Sequence, residues 1–200
     1  MRRDDPNEKT VRRELLKSDV ISNDLIPLIK VLKSKKDAEL FDLVLRLLVN
    51  LTQSALNCFE LKVPEDKIKY NTFLEIDNYL IKAKEPFANE SFIKLISDRL
   101  KEIISKSWED RPEEEDLIAE RILFLIRNVL QIKLSDDDEN RLETDLNSHD
   151  LLLLSFHKAS LFGIFIDMAS SKDHSKYFIN ILEIITLILR DQVNFYFRIT

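Results

Sequence analysis

Four arginines near the start of the chain, Arg2, Arg3, Arg12 and Arg13, stand in two pairs. Paired guanidinium groups suit a duplex phosphate backbone. If Asn7 to Lys17 forms a short helix with Val11, Leu15 and Leu16 inward, all four line its outer face. A solvated helix surface is the commoner use of such charges and explains the pattern as well. Lys33-Ser34-Lys35-Lys36 likewise either closes a helix at its negative pole or offers a second basic patch. Other reactive side chains do not converge. His149, His157 and His174 share no metal-ligand spacing with carboxylates or with Cys58. Asp136, Asp137 and Asp138 lack the glycine and terminal glutamate of a calcium loop. A lone glycine, Gly163, rules out a phosphate-cradling loop, and no serine sits in a nucleophile elbow. The sequence therefore assigns no catalytic, cofactor-binding or metal-ligating residue, and the expectation is a non-enzyme without a small-molecule substrate. Cys58 reads as a small core residue, and His157 as a core or groove histidine. Trp108 reads either as a wedge between two helices or as a partner-binding hot spot.

These side chains need elements to hold them, and the elements read as helices. With one glycine and five prolines, tight turns that demand positive φ are scarce, which disfavours sheets. Ser22-Asn23-Asp24 offers caps for a helix carrying Leu25, Leu28, Ile29 and Leu32 inward. Asp37 opens a long helix with Leu40, Leu43, Val44, Leu47, Leu48 and Leu51 as its stripe. Asn50 and Thr52 fall within this apolar setting, so each should have a hydrogen-bond partner. Pro64 and Pro86 bracket a helix from Glu65 to Lys84 with Ile68, Phe73, Ile76, Tyr79 and Leu80 inward. Asn89 caps the next. From Pro112, a run of four acidic residues precedes Ile118, Ile122, Leu125, Ile126, Val129 and Leu130. Acid at the start and a wide apolar stripe after it make this the central helix. Residues 135–148 read as an acidic mobile loop within the domain. Leu151 to Ala169 then reads as one helix, apolar almost all round, and Phe178 to Ile188 begins the last.

Charge and hydropathy narrow the class. The net charge of −6 is unevenly placed: residues 1–36 hold ten Lys/Arg against six Asp/Glu, and residues 107–150 hold five against fourteen. An acidic whole argues against general nucleic-acid coating, and leaves a local duplex-DNA contact at the basic first third. No apolar run reaches the roughly 18 residues of a membrane span, so no membrane partner is expected. A single cysteine cannot form an internal disulfide.

Three blocks carry a family resemblance: WEDRPEEEDLIAERILFLIRNVL (Trp108 to Leu130), LFDLVLRLLVNLTQSALNCF (Leu40 to Phe59) and LEIITLILRDQ (Leu182 to Gln192). Helical periodicity does not demand Trp108, the Arg127-Asn128 pair or Val49-Asn50-Leu51-Thr52. In order and content the blocks resemble the N-terminal region of the Timeless family of replication fork protection proteins. The resemblance implies a right-handed α-solenoid of HEAT- or armadillo-like helical pairs, about eight helices in all. It also implies a nuclear, non-enzymatic scaffold that stabilises paused forks and supports the S-phase checkpoint. Its partners would be a Tipin-type subunit and other replisome proteins, and the family name carries a circadian association. Residues 1–192 form the family-like domain. Residues 193–200 diverge from the pattern, and the chain is expected to be a shortened form of a longer protein. Phe195, Tyr196 and Phe197 stand where a stacked array would place a polar cap. Either this tail folds back over the last helix, or that helix keeps an exposed apolar face for partners; exposure is the expectation.

Overall fold

The computed structural model describes residues 4–32, 37–134 and 147–199, with side chains through Arg190. Asp4 starts the order. Its carboxylate accepts hydrogen bonds from the backbone N–H of Val11 at 2.9 Å and of Arg12 at 3.1 Å, capping α1 (Thr10–Lys17) from upstream. A π-helical turn (Ile21–Leu25) leads into α2 (Ile26–Val31), where Pro27 sits in the first turn and loses no bond. α3 (Ala38–Leu51) and the single turn α4 (Ala55–Cys58) follow. Asp66 caps α5 (Lys67–Phe87), accepting from Ile68 and Lys69 N–H, and Asn89 caps α6 (Glu90–Ile104). α7 (Glu113–Gln131) begins just after Pro112 with three glutamates and Asp116 in its first turn. Asn147 caps α8 (Ser148–Lys158). After it come α9 (Leu161–Ser170), a 3-10 stretch (Lys172–Tyr177) and α10 (Phe178–Ile199). The described residues contain no strand, and the fold is all-α.

The packing repeats in threes. α1 lies on α5, α2 on α6 and α3 on α7; then α5 lies on α8, α6 on α8 and α9, and α7 on α10. The contacts run between successive sets of three helices, α1–α3, α5–α7 and α8–α10. The centre is α7, packed against α3, α6 and α10. Its Ile118, Ala119, Ile122, Leu123, Leu125, Ile126, Val129 and Leu130 are all buried, as a helix covered on more than one side requires.

Several expectations need correction. The described residues hold ten α-helices, more than the sequence suggested. One reason is that Leu151 to Ala169 is not one helix. Ser160 takes a left-handed backbone, φ 57°, and the two pieces meet at 71°. The bend lets Leu152 and Phe156 enter the core from one direction and Leu161, Phe165 and Met168 from another. Leu40 and Leu43 do not face inward; Leu43 is 57% exposed, and the buried stripe of α3 is Phe41, Val44, Leu45, Leu48 and Leu51. Val11, Leu28 and Ile68 are exposed too. Val11 and Leu28 lie off the buried positions of their helices, Arg12 with Leu16 and Ile26 with Ile29, whereas Ile68 shares a face with buried Thr72, Ile76 and Leu80 but sits in the first turn of α5. His157 and Asn50 face outward rather than into the core. The acidic loop, apart from Asn147 and Ser148, and the basic run 33–36 lie outside the described residues.

Candidate interaction surface

The first arginine pair, Arg2 and Arg3, lies outside the described residues; the second does not form the outward patch. Arg12 is buried, 4% exposed. Its guanidinium donates to the Gln53 carbonyl at 3.2 Å and to the Cys58 sulfur, tying α1 to the turn after α3. Burial pushes the Cys58 thiol above its ordinary range despite the adjacent cations Arg12 and Lys9. Cys58 is thus a half-buried, protonated partner of Arg12, not an isolated core residue. Arg13 is spent on Glu75 of α5 at 2.7 Å.

Trp108 is 61% exposed, so it does not wedge two helices together. It edges a shallow cleft of about 280 Å³ with Asp116, Lys172 and Lys176. Beneath it, Arg111 fixes the corner between α6 and α7. Its side chain is fully buried, paired with Asp116 at 3.1 Å and donating to the Lys106 carbonyl at 2.8 Å. The hydroxyl of Tyr177 donates to the same Asp116 carboxylate at 3.0 Å, and Lys176 closes on it. Burial alone would raise Asp116, but the bonds from Lys176, Tyr177 and Arg111 outweigh it and hold the carboxyl below its usual range. Burial also raises the Tyr177 phenol, and Asp116 adds to that shift. Nearby, burial lowers His174, helped by Arg111.

The family-like motifs meet at the other end of α7. Asn128 is buried, and its amide donates to the Val49 carbonyl at 3.2 Å and the Thr52 hydroxyl at 3.3 Å. The Thr52 hydroxyl in turn donates to Leu48 at 2.8 Å. Asn128 thus satisfies the C-terminal end of α3, where carbonyls lack helical partners. Arg127 stacks on the Phe124 ring at 4.9 Å and pairs with Glu183 of α10 at 3.1 Å. Lys84, buried in α5, donates to the Ile132 carbonyl at 2.6 Å, a cation at the negative pole of α7. Sequence reading placed these polar residues among helices without finding their partners, which lie 48 to 79 positions away. Above them opens a groove of about 600 Å³, walled by Leu56, Leu61, Phe73 and Leu80 on one side and by Arg127, Asn128 and Lys133 on the other. Its rim charges are paired internally, Lys133 with Asp77 and Arg127 with Glu183. The groove combines apolar walls with a few oriented polar groups, as ligand- and partner-binding surfaces do. No cluster of three or more His, Cys, Asp or Glu side chains among the described residues could hold a metal ion.

α10 buries Ile181 and Ile184 and exposes apolar side chains beside them. Ile179 and Leu182 are 69% and 62% exposed, with Phe178 and Leu189 also largely in solvent. The backbone stays helical through Ile199, so residues 193–199 continue the helix instead of folding back across it. The side chains of Phe195, Tyr196 and Phe197 lie outside the described residues.

The profile of the Timeless protein family matches residues 1–194. The chain is similar to the protein timeless homolog of Mus musculus, 37% identical over 190 residues, covering 95% of this chain and 16% of the relative. It is 36% identical to the protein timeless homolog of Homo sapiens over the same share of each. Protein timeless of Drosophila melanogaster is 30% identical over 130 residues, 64% of this chain and 9% of that protein. The chain therefore spans about a sixth of the length of its mammalian relatives. With Trp108, Arg127-Asn128 and Val49 to Thr52 all inside the matched span, this chain belongs to the Timeless family.

Proposed function

We propose that this chain is a non-enzymatic scaffold of replication fork protection, acting in the nucleus through protein–protein contacts. The observation that carries the reading is the family match over residues 1–194. The expected partners are a Tipin-type subunit and other replisome proteins, with stabilisation of paused forks and checkpoint support as the outcome. A circadian-linked role follows from family association alone. Contacts between successive sets of helices support a stacked helical array, and the right-handed α-solenoid of armadillo type follows from the family resemblance alone. Such stacks present grooves and edges along their length, and these serve as binding surfaces. A pull-down from S-phase nuclear extract with cross-link mapping tests the proposal. Cross-links to the Tipin-type subunit or to other fork proteins are expected; cross-links confined to proteins absent from forks would overturn it.

Duplex-DNA binding is the second reading, and the geometry narrows it. Arg12 is buried and Arg13 is paired, which leaves Arg2 and Arg3 of the original four. Replacing Arg2 and Arg3 by alanine should flatten the salt slope of DNA binding by up to about two phosphate equivalents. Arg12→Ala should leave the slope unchanged and lower the melting temperature instead. A salt titration followed by fluorescence anisotropy separates these outcomes.

A further inference from the structure

The turn that joins α6 to α7 carries an exposed hydroxyl. Ser107 lies outside both helices and in solvent. Its hydroxyl donates one hydrogen bond, to the Asp110 carboxylate at 3.0 Å, and the Asp110 N–H donates to the Ser107 carbonyl at 3.2 Å. Glu109 and Asp110 stand two and three residues after Ser107, and Glu113 and Glu114 six and seven after it. All four are exposed, and no ion pair engages any of them among the described residues. The neighbouring cations are committed elsewhere: Lys106 to Glu115 at 2.6 Å and Arg111 to Asp116 at 3.1 Å. The segment after Ser107 thus offers unpaired negative charge to solvent.

Placement separates this serine from similar positions. Thr72 and Ser170 also precede an acid by three residues, Glu75 and Asp173. Thr72 is buried within α5. Ser170 closes α9 with its hydroxyl on the Ile166 carbonyl, and Lys172 stands ahead of its acid. A transferase must grip the chain on both sides of a hydroxyl. An exposed turn allows that, and a helix with its backbone bonded internally resists it.

We propose that Ser107 is a phosphorylation site for an acid-directed protein kinase, one whose substrate groove is basic. The Ser107 Oγ attacks the terminal phosphorus of a nucleoside triphosphate. The Oγ–P bond forms, the bond from that phosphorus to the bridging oxygen breaks, the nucleoside diphosphate leaves, and the hydroxyl proton passes to the kinase's base. The product carries about −1.5 to −2 charge at neutral pH. It no longer donates to Asp110, and it stands beside the Glu109 and Asp110 carboxylates, so like-charge repulsion opens the turn. Arg111 keeps the helices in place beneath, through Asp116 and the Lys106 carbonyl. Trp108 sits on the turn itself and is largely in solvent, so the modification moves the exposed aromatic of this corner. The inference rests on the turn alone and does not depend on the replication reading.

The chain is incubated with a purified acidophilic casein kinase and adenosine triphosphate, and phosphate is mapped by mass spectrometry. Ser135, followed by Asp136, Asp137 and Asp138, competes for such an enzyme and lies outside the described residues, so every chain tested carries Ser135→Ala. Phosphate is expected on Ser107 and not on Thr72. Ser107→Ala should remove it, and Glu109→Ala with Asp110→Ala should slow its incorporation at least about tenfold. Circular dichroism melts confirm that each variant folds. The chain has one tryptophan, so the emission of Trp108 reads the turn directly. It should shift on phosphorylation and stay unchanged in the Ser107→Ala chain treated with the same kinase. Labelling that misses Ser107, or a rate unaffected by loss of both acids, would overturn the site. An emission spectrum unmoved by complete phosphorylation would overturn the opening of the turn.

Discussion

Asn128 donates two hydrogen bonds to the end of α3, at Val49 and Thr52, and is only 2% exposed. Asn128→Ala should therefore cost about 1–3 kcal/mol in denaturant melts, the range for stranding buried polar partners. Asn50→Ala, at an exposed position bonded only to its own helix through Arg46, should stay within about 0.5 kcal/mol. The contrast is informative because the two asparagines look alike in sequence. His174 gives a pH-dependent counterpart. Burial holds its folded value below the ordinary 6.5, so between the two values the unfolded chain binds a proton that the folded chain does not. Its contribution is complete above about pH 6.5 and declines as the pH falls below that. Urea melts at pH 7.5 and 5.5 should show a larger acid loss for the natural chain than for His174→Gln. An equal loss would show that His174 protonates without penalty.

At the scale of elements, α7 and α3 make a pair of opposites. Ile122→Ala in α7 removes fully buried methylenes and should cost about 2–5 kcal/mol. Leu43→Ala in α3 should cost under about 0.5 kcal/mol, since that side chain already faces solvent. The stripe of α7 was legible in the sequence because the helix is packed on several sides, and Ile118, Ile122, Leu125, Ile126, Val129 and Leu130 are all buried. The stripe of α3 was read correctly at Val44, Leu48 and Leu51 but about one residue, roughly 100°, out of phase on its edge. Phe41 and Leu45 are buried while Leu40 and Leu43 are not, and periodicity cannot choose between two apolar faces when only one has neighbours. The corner at Ser160 was invisible for a related reason. No glycine or proline marks it, and the left-handed residue is imposed by the packing of α8 and α9 rather than by local preference. Arg12 was illegible at longer range, because its partners Gln53 and Cys58 are 41 and 46 positions away. The caps at Asp66, Asn89 and Asn147 depend on immediate neighbours; the sequence pointed to Asn89 directly.

At the scale of the whole molecule, several apolar side chains of α10 stand exposed among the described residues. Exposed Ile179 and Leu182 beside Phe178 form a patch of the kind that soluble chains keep for contact. Self-association at micromolar concentration is therefore expected, measured by sedimentation velocity, and Ile179→Glu with Leu182→Glu should abolish it. A chain that sediments as a monomer before and after the change would show that the patch is inert.

The order of contacts has a further consequence. The first helix triplet touches the middle one, the middle touches the last, and α5, α6 and α7 are the bridge between them. Cohesion is then a nearest-neighbour property, as in a row of magnets in which each holds only those beside it. Amide protons in α6 and α7 should exchange most slowly with deuterated water, and those of α1 and α2 should exchange earlier, through openings that leave the rest folded. Pulled from its two ends in an optical trap, such a chain should lengthen in steps, the outer triplets yielding before the middle one.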